Sequence, residues 1–288
     1  MQNLPSTVDL HTHSTASDGE LTPSQLVAAA VAAGVSVLAV TDHDCTAGLA
    51  EAQTACSEVG LTLIPGVEVS SCWSNMDIHV VGLGINVDDA RFQARLQQQM
   101  ERRSARAHLV AQRLEKLGYP GMFEAAAHAA PQGIPARPHF ADALVRAGAC
   151  GDRKQAFQRY LAQSKPAYVK TEWPELVEAV RWIREAGGVA VVAHPGRYKL
   201  TRSKLERLVK AFAEAGGQAL EVSVATHGPD MVKQLADLAE KYGLYASQGS
   251  DYHGPSMRWV QLGRMPALPG QCRPVLDLLG WKAEQAMR

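Results

Sequence analysis

Seven short runs rich in β-branched residues recur along the chain: TVDLHTH at 7–13, VSVLAVTDH at 35–43, LTLIPGVEVS at 61–70, DIHVVGLG at 77–84, GGVAVVAHP at 187–195, QALEVSV at 218–224 and LYASQGSDYH at 244–253. Helical stretches separate most of them. One runs 23–33 behind the N-cap candidate Thr22, one 46–59 up to Gly60, and others span 174–186, 205–215 and 230–242, the last stopped by Gly243. Strand, helix, strand repetition implies parallel strands. Runs such as VSVLAV and VAVVA are apolar at nearly every position, as strands covered on both faces are. Seven of them suit a closed or nearly closed barrel better than an open sheet. With 288 residues, 46% of them apolar, the chain can bury the core such a barrel needs.

The repetition breaks between about Asp89 and Pro166. There RFQARLQQQMERRSARAHLVAQRLEKLG predicts one long helix, followed by shorter Ala-rich ones. The expectation is therefore an α/β protein, a (β/α)7 barrel built from residues 1–99 and 167–288, with 100–166 forming an inserted helical subdomain. Charge divides along the same line. Residues 1–90 contain no Lys or Arg and 11 acidic residues, whereas 91–170 contain 14 basic and 5 acidic, a net +9 hidden inside a neutral chain. A site for cations beside a surface for anions is the implied layout.

The chemistry-bearing residues gather at the ends of the strands. His11 and His13 alternate on the first, and side chains at i and i+2 share a face, so both can reach one ion. Asp18 follows in the next loop. The second strand ends TDHD with His43, the third holds Glu68, the fourth His79; the fifth ends at His194, and the seventh at Asp251 and His253. In a parallel barrel these ends open on one face, where such folds keep their sites. Like charges crowded into a cleft repel and are costly to desolvate unless cations neutralise them, which makes a multinuclear metal site the reading of this cluster. The five cysteines are widely spaced and form no CxxC pair, so neither a disulfide framework nor a thiolate zinc site is expected.

The ordered set DLHTHSTASDG, TDHD, PGVE, the fourth-strand histidine, AHPG and SDYH resembles the polymerase and histidinol phosphatase (PHP) family of metal-dependent phosphoesterases. The resemblance implies a distorted seven-stranded barrel holding about three divalent ions per chain, with manganese favoured over zinc or iron for mixed oxygen and imidazole ligands. By motif position, His11, His13, Glu68 and Asp251 would hold the first ion. Glu68, His79 and His194 would hold the second, with Glu68 bridging, and Asp18, His43 and His253 the third. Asp9, Asp42 and Asp44 are expected to orient the ligating histidines from behind.

The insertion, with IPARPHF and Arg137, resembles the branch of the family that acts on nucleoside 3',5'-bisphosphates, some members also degrading short RNA from the 5' end. The phosphorylated nucleotide, and short RNA with it, is thus the expected partner, and the insertion the expected basic cap over it. Arg137, Arg197 and His227 are the candidate substrate contacts; Asp18, His43, Glu68 and His227 are expected to act in catalysis, His227 as one candidate general acid. The rival readings are a phosphatase for a small amino alcohol phosphate such as histidinol phosphate, which would want an acidic pocket, and a non-catalytic metal-bearing module. The longest apolar stretch, Leu26 to Val40, has 15 residues and is broken by Gly34 and Ser36, short of the roughly 20 that a membrane helix needs. With no secretory pattern at the N-terminus, a cytoplasmic location and no obligate protein partner are expected.

Overall fold

The computed structural model describes residues 4–130 and 133–280. Its strands are β1 (Leu4–Pro5), β2 (Val8–Asp9), β3 (Val37–Val40), β4 (Thr62–Trp73), β5 (Met76–Leu83), β6 (Val189–Val192), β7 (Ala219–Val224), β8 (Tyr245–Gly249) and β9 (Arg264–Met265). Strands β2 to β8 form one seven-stranded sheet in chain order, and β1 pairs with β9 outside it. The sheet curls until its ends nearly meet: Leu10 N–H donates to Gln248 O at 3.1 Å, and Asp251 N–H to His11 O at 2.8 Å. The result is the distorted, nearly closed barrel expected from the sequence.

One expectation is corrected. The strands are not all parallel, because β5 runs antiparallel to both β4 and β6. The cause is local. Ser74 and Asn75 both take left-handed backbone, at φ 48° and 66°, and make the two-residue turn whose twist matches a hairpin. No helix fits between β4 and β5, so the chain folds straight back. The first strand is also shorter than its apolar pattern suggests. It leaves the ladder after Asp9, so His11 and His13 lie beyond it on extended chain stitched to the segment after β8.

The helices follow their caps. In α1 (Pro23–Ala32) the Thr22 hydroxyl accepts from Gln25 N–H while the Gln25 side chain accepts from Thr22 N–H, with Pro23 at the first helical position. Helix α2 (Leu49–Val59) starts three residues later than expected, Thr46–Gly48 forming a turn, and ends at left-handed Gly60. The insertion carries α3 (Ala90–Lys116), α4 (Met122–His128), α5 (Arg137–Arg146) and α6 (Arg153–Ala156). Helices α7 (Leu176–Glu185), α8 (Arg202–Glu214) and α9 (Pro229–Lys241) complete the outer layer of the barrel.

Helix α3 crosses the expected boundary at 99/100 without a break. Its first turns bury Phe92 and Leu96 in the cluster formed by the barrel and α7 to α9, where Ile183, Phe212 and Leu235 also lie. Its last turns bury Val110 and Leu114 in a separate core with Phe140, Leu144 and Leu161. A single rigid helix thus fixes the insertion's core against the barrel. The interior of the barrel is filled by Leu10, Val37, Val81, Leu83 and Val191.

Candidate metal centre

Glu68 sits in β4, fully buried, with five histidines around its carboxylate. Its Oε1 lies 2.9 Å from His79 Nδ1 and 2.9 Å from His194 Nε2. Its Oε2 lies 2.9 Å from His43 Nδ1 and 3.3 Å from both His11 Nε2 and His13 Nε2. The hairpin explains His79: it pairs with Ser70, two residues beyond Glu68, so both side chains emerge from the same face of the sheet. Asp251 Oδ1 approaches His13 Nε2 at 3.1 Å and His11 Nε2 at 3.4 Å. Asp18 Oδ1 stands 3.5 Å from His253 Nε2 and 3.7 Å from His43 Nε2. All nine sequence-predicted metal residues therefore meet at one end of the barrel.

Their ligand atoms fall into three overlapping groups, each within 4.8 Å: His11, His13, Glu68 and Asp251; His43, Glu68 and His79; and His13, Asp18, His43 and His253. His194 adjoins the second through Glu68 Oε1. Buried lone pairs without donors mark the same places. His13 Nδ1, Asp18 Oδ1, His43 Nδ1, Glu68 Oε2, His194 Nδ1 and Asp251 Oδ1 have no partner at a hydrogen-bonding angle, close as several of them lie to one another. Buried acceptors left unpaired are costly, and divalent cations are what a set of imidazoles and carboxylates without thiolates accepts. The donor set fits divalent metal ions.

Electrostatics point the same way. Burial pushes the Asp18, Glu68 and Asp251 carboxyls up, but the histidines, together with Arg197 at Asp251, outweigh it and hold all three well below the usual range. Burial and the neighbouring His253 ring push His13 down to about 3, leaving it neutral, the form in which an imidazole can accept a cation. At His253 burial is overcome by Asp18 and Asp251, which raise it to about 9, a proton that a cation would displace. Backbone strain is concentrated here too. His194 and Asp251 hold left-handed conformations, at φ 30° and 56°, that non-glycine residues seldom adopt.

Glu221, on β7, was not singled out by the sequence. It is buried, accepts from His11 Nδ1 at 2.8 Å and also accepts the His194 backbone N–H, fixing the His11 ring and the strained turn at His194. It does the orienting work expected of Asp9, Asp42 and Asp44, and that expectation is corrected. Asp9 accepts from the Ser250 and Gly263 amides, and Asp42 from Ser14 and Ser17. Asp44 accepts from Ser70 N–H and Arg103. These aspartates brace loops rather than rings.

Two of the candidate substrate contacts are otherwise engaged. Both His227 nitrogens meet backbone, Nδ1 donating to Val222 O at 3.1 Å and Nε2 accepting from Gly196 N–H at 3.2 Å. That tautomer leaves no ring proton to give, so the geometry speaks against the general-acid role. Arg197 donates to Asp251 Oδ2 and, at 3.1 Å, to Thr226 Oγ1. It neutralises the Asp251 carboxylate at the rim of the cluster.

Arg137, the first residue of α5, does face the centre. It lines a cavity of about 140 Å³ with Arg103, Arg106, Asp77, His43 and His79. Burial and the nearby Arg137 push the Arg106 guanidinium down to about 10, and its Nε and Nη2 are buried without a partner. Arg103 is tied to Asp44 and Ser70. Three guanidiniums outnumber the two carboxylates of the lining, Asp18 and Asp77, and in so small a cavity they make a seat for an anion. Arg103 and Arg106 recur at i and i+3 on α3, a spacing that the sequence shows but that reads equally as a solvated stripe.

The sequence pattern that defines the PHP domain matches residues 9–225, more than two thirds of the chain. The chain belongs to the PHP family. It is 46% identical over 279 residues to the 5'-3' exoribonuclease Rnm of Escherichia coli K12, covering 96% of this chain and 94% of that protein. It is also 44% identical over 270 residues to the 3',5'-nucleoside bisphosphate phosphatase of Chromobacterium violaceum, covering 93% and 94%. A solved structure, an amidohydrolase from Chromobacterium violaceum with bound sulfate, superposes with a TM-score of 0.89 at 42% identity, covering 95% of this chain and 96% of that one. Among the described residues no helix is long and apolar enough to cross a membrane.

Proposed function

We propose that this PHP chain is a metal-dependent phosphoesterase that removes the 3'-phosphate of nucleoside 3',5'-bisphosphates, and that it also cleaves short RNA from the 5' end. Hydrolysis adds water across the ester P–O bond, giving the nucleoside 3'-hydroxyl and inorganic phosphate. The observation that carries this reading is the cavity of Arg103, Arg106 and Arg137, which opens directly onto His43 and His79 of the metal centre. A substrate with two phosphates matches a cation site joined to a guanidinium site. The names of the relatives in Escherichia coli and Chromobacterium violaceum support the same substrates. An amino alcohol phosphate fits worse, because its ammonium would meet three guanidiniums.

In this reading the nine histidine and carboxylate residues hold about three divalent ions, manganese before zinc or iron. Bound there, such ions would supply a nucleophile from water at neutral pH and neutralise phosphoryl charge. The protein's own part is positional. Glu68 bridges two sites, Asp18 and His43 place the third, Glu221 orients His11, and Arg137 with Arg106 holds the second phosphate by charge-assisted bonds. Residues 100–166 act as the basic cap, and the enzyme works in the cytoplasm without an obligate protein partner.

The test is phosphate release by manganese-supplied protein from adenosine 3',5'-bisphosphate, adenosine 3'-monophosphate and histidinol phosphate. Preference for the bisphosphate over the monophosphate by at least about 10-fold is expected from one lost charge-assisted contact. Equal rates, or preference for histidinol phosphate, would remove the arginine cavity from substrate recognition and overturn the reading.

A further inference from the structure

A second space meets the metal centre from the other side. Asp18 and His253 line a groove of about 680 Å³ between the insertion and the loop after β8, far larger than the arginine cavity and different in character. Its walls are apolar and partly aromatic: Pro138 and Phe157 from the insertion, Met257 and Trp259 from the loop. Trp259 is 70% exposed, the most exposed of the large apolar side chains among the described residues. A tryptophan costs free energy in water unless something covers it, and here it stands beside the reaction centre rather than on a remote face.

The groove is held in shape. Arg153 pairs with Asp142 on its own subdomain and reaches across to the barrel loops, donating to Glu20 Oε1 at 3.1 Å and Ser256 Oγ at 2.9 Å. Those bonds neutralise Glu20 on the groove wall and Asp142 behind it, while Asp152, also on the wall, accepts the Gln155 N–H as the cap of α6. Lys154 is exposed at the rim, with no ion pair among the described residues. An aromatic platform with a free ammonium at its edge is the combination that binds single-stranded nucleic acid, the base stacking on the ring and the backbone phosphate meeting the charge.

We infer that this groove seats the nucleotide downstream of the scissile phosphate in an RNA substrate, with the Trp259 indole as its stacking platform and Lys154 near its phosphate. The inference rests on the phosphoesterase reading and assigns it a second half. A phosphodiester has two ester oxygens, each leading to a nucleotide. The nucleoside whose second phosphate lies among Arg103, Arg106 and Arg137 occupies the His43 and His79 side of Asp18. The other substituent leaves on the His253 side, where the groove opens. A nucleoside bisphosphate has nothing to put there, and an RNA does.

The experiment compares Trp259→Ala, Trp259→Phe and wild type on three substrates: adenosine 3',5'-bisphosphate, a 5'-phosphorylated dinucleotide and a 5'-phosphorylated hexanucleotide. Loss of a stacked base lowers kcat/KM for the two RNAs by about 5- to 150-fold in Trp259→Ala. The bisphosphate is hydrolysed at the wild-type rate, and Trp259→Phe recovers most of the RNA activity because a ring is restored. Fluorescence anisotropy of a 3'-labelled hexanucleotide without added metal gives a readout free of turnover, and binding should weaken in parallel. Equal loss on bisphosphate and RNA would put the first nucleoside in the groove and overturn the assignment. Unchanged RNA binding and cleavage would also overturn it, leaving the tryptophan to a protein contact such as a second copy, which sedimentation would detect. If wild type hydrolyses no bisphosphate, the phosphatase reading fails instead, and the anisotropy comparison still decides the groove.

Discussion

Replacing Glu221 by Gln changes one atom of a side chain that touches no substrate, yet it should weaken the metal centre. Both Glu221 oxygens accept: Oε1 from His11 Nδ1–H at 2.8 Å and Oε2 from the His194 amide. A glutamine has one acceptor and one donor to put in those places. If its NH2 faces His194, two N–H groups confront each other in a buried site. If it faces His11 instead, Nδ1 must accept, the ring proton moves to Nε2, and the lone pair aimed at Glu68 and Asp251 is lost. Either orientation removes a charge-assisted bond, about 1.5–3 kcal/mol, and the first also sets two buried donors against each other for about 1–3 kcal/mol more. A total near 3 kcal/mol corresponds to a Tm about 6–12 °C lower in a chain of this size. Loss of a group that orients a ligating histidine typically weakens metal affinity by about 10- to 100-fold. Calorimetry with and without manganese, and manganese titration of the folded variant, measure both quantities. A folded Glu221→Gln protein with wild-type manganese affinity and wild-type Tm would refute the claim that Glu221 sets the His11 tautomer.

Three further outcomes follow from the same geometry. Glu68→Gln takes the charge shared by two of the three ligand groups and leaves the group of His13, Asp18, His43 and His253 intact, so elemental analysis should find metal content falling from about three ions to about one. Wild-type content would show that Glu68 does not bridge. Arg137→Ala should reduce the bisphosphate-over-monophosphate preference by about 10- to 150-fold in kcat/KM with metal content unchanged, since it removes a bidentate phosphate contact and no ligand; unaltered kinetics on both substrates would place Arg137 outside the site. Arg103→Met strips the buried Asp44 carboxylate of its guanidinium, and breaking such a pair should cost about 3 kcal/mol, read as a lower midpoint in urea, whereas a shift under about 0.5 kcal/mol would mean that Ser70 N–H and Gln99 satisfy Asp44 by themselves.

The chemistry of the centre was legible in the sequence because each ligand lies in a short window whose backbone is decided locally. Thr22 with Gln25 starts a helix, Gly60 ends one, and a run of β-branched residues ending in TDHD or SDYH projects its last polar side chains beyond the sheet wherever that sheet is. The reversed β5 was legible too, had Ser74–Asn75 been read as a left-handed turn. Other features exist only once the barrel closes. Glu221 lies in an apolar strand, 210 residues from His11, and nothing within seven residues of it distinguishes a carboxylate braced against two ligands from a misplaced core position. Arg106 reads as one more charge on a long basic helix until α3 packs against α5 and shuts its Nε and Nη2 away from water beside Arg137. Trp259, in a loop with no periodicity, gains meaning only from the insertion that faces it. Backbone sterics and ligand type act over a few residues, so sequence carries them. The partners of a buried charge, and the shape of a space between two subdomains, come from contacts across the whole fold, and only the tertiary structure decides them.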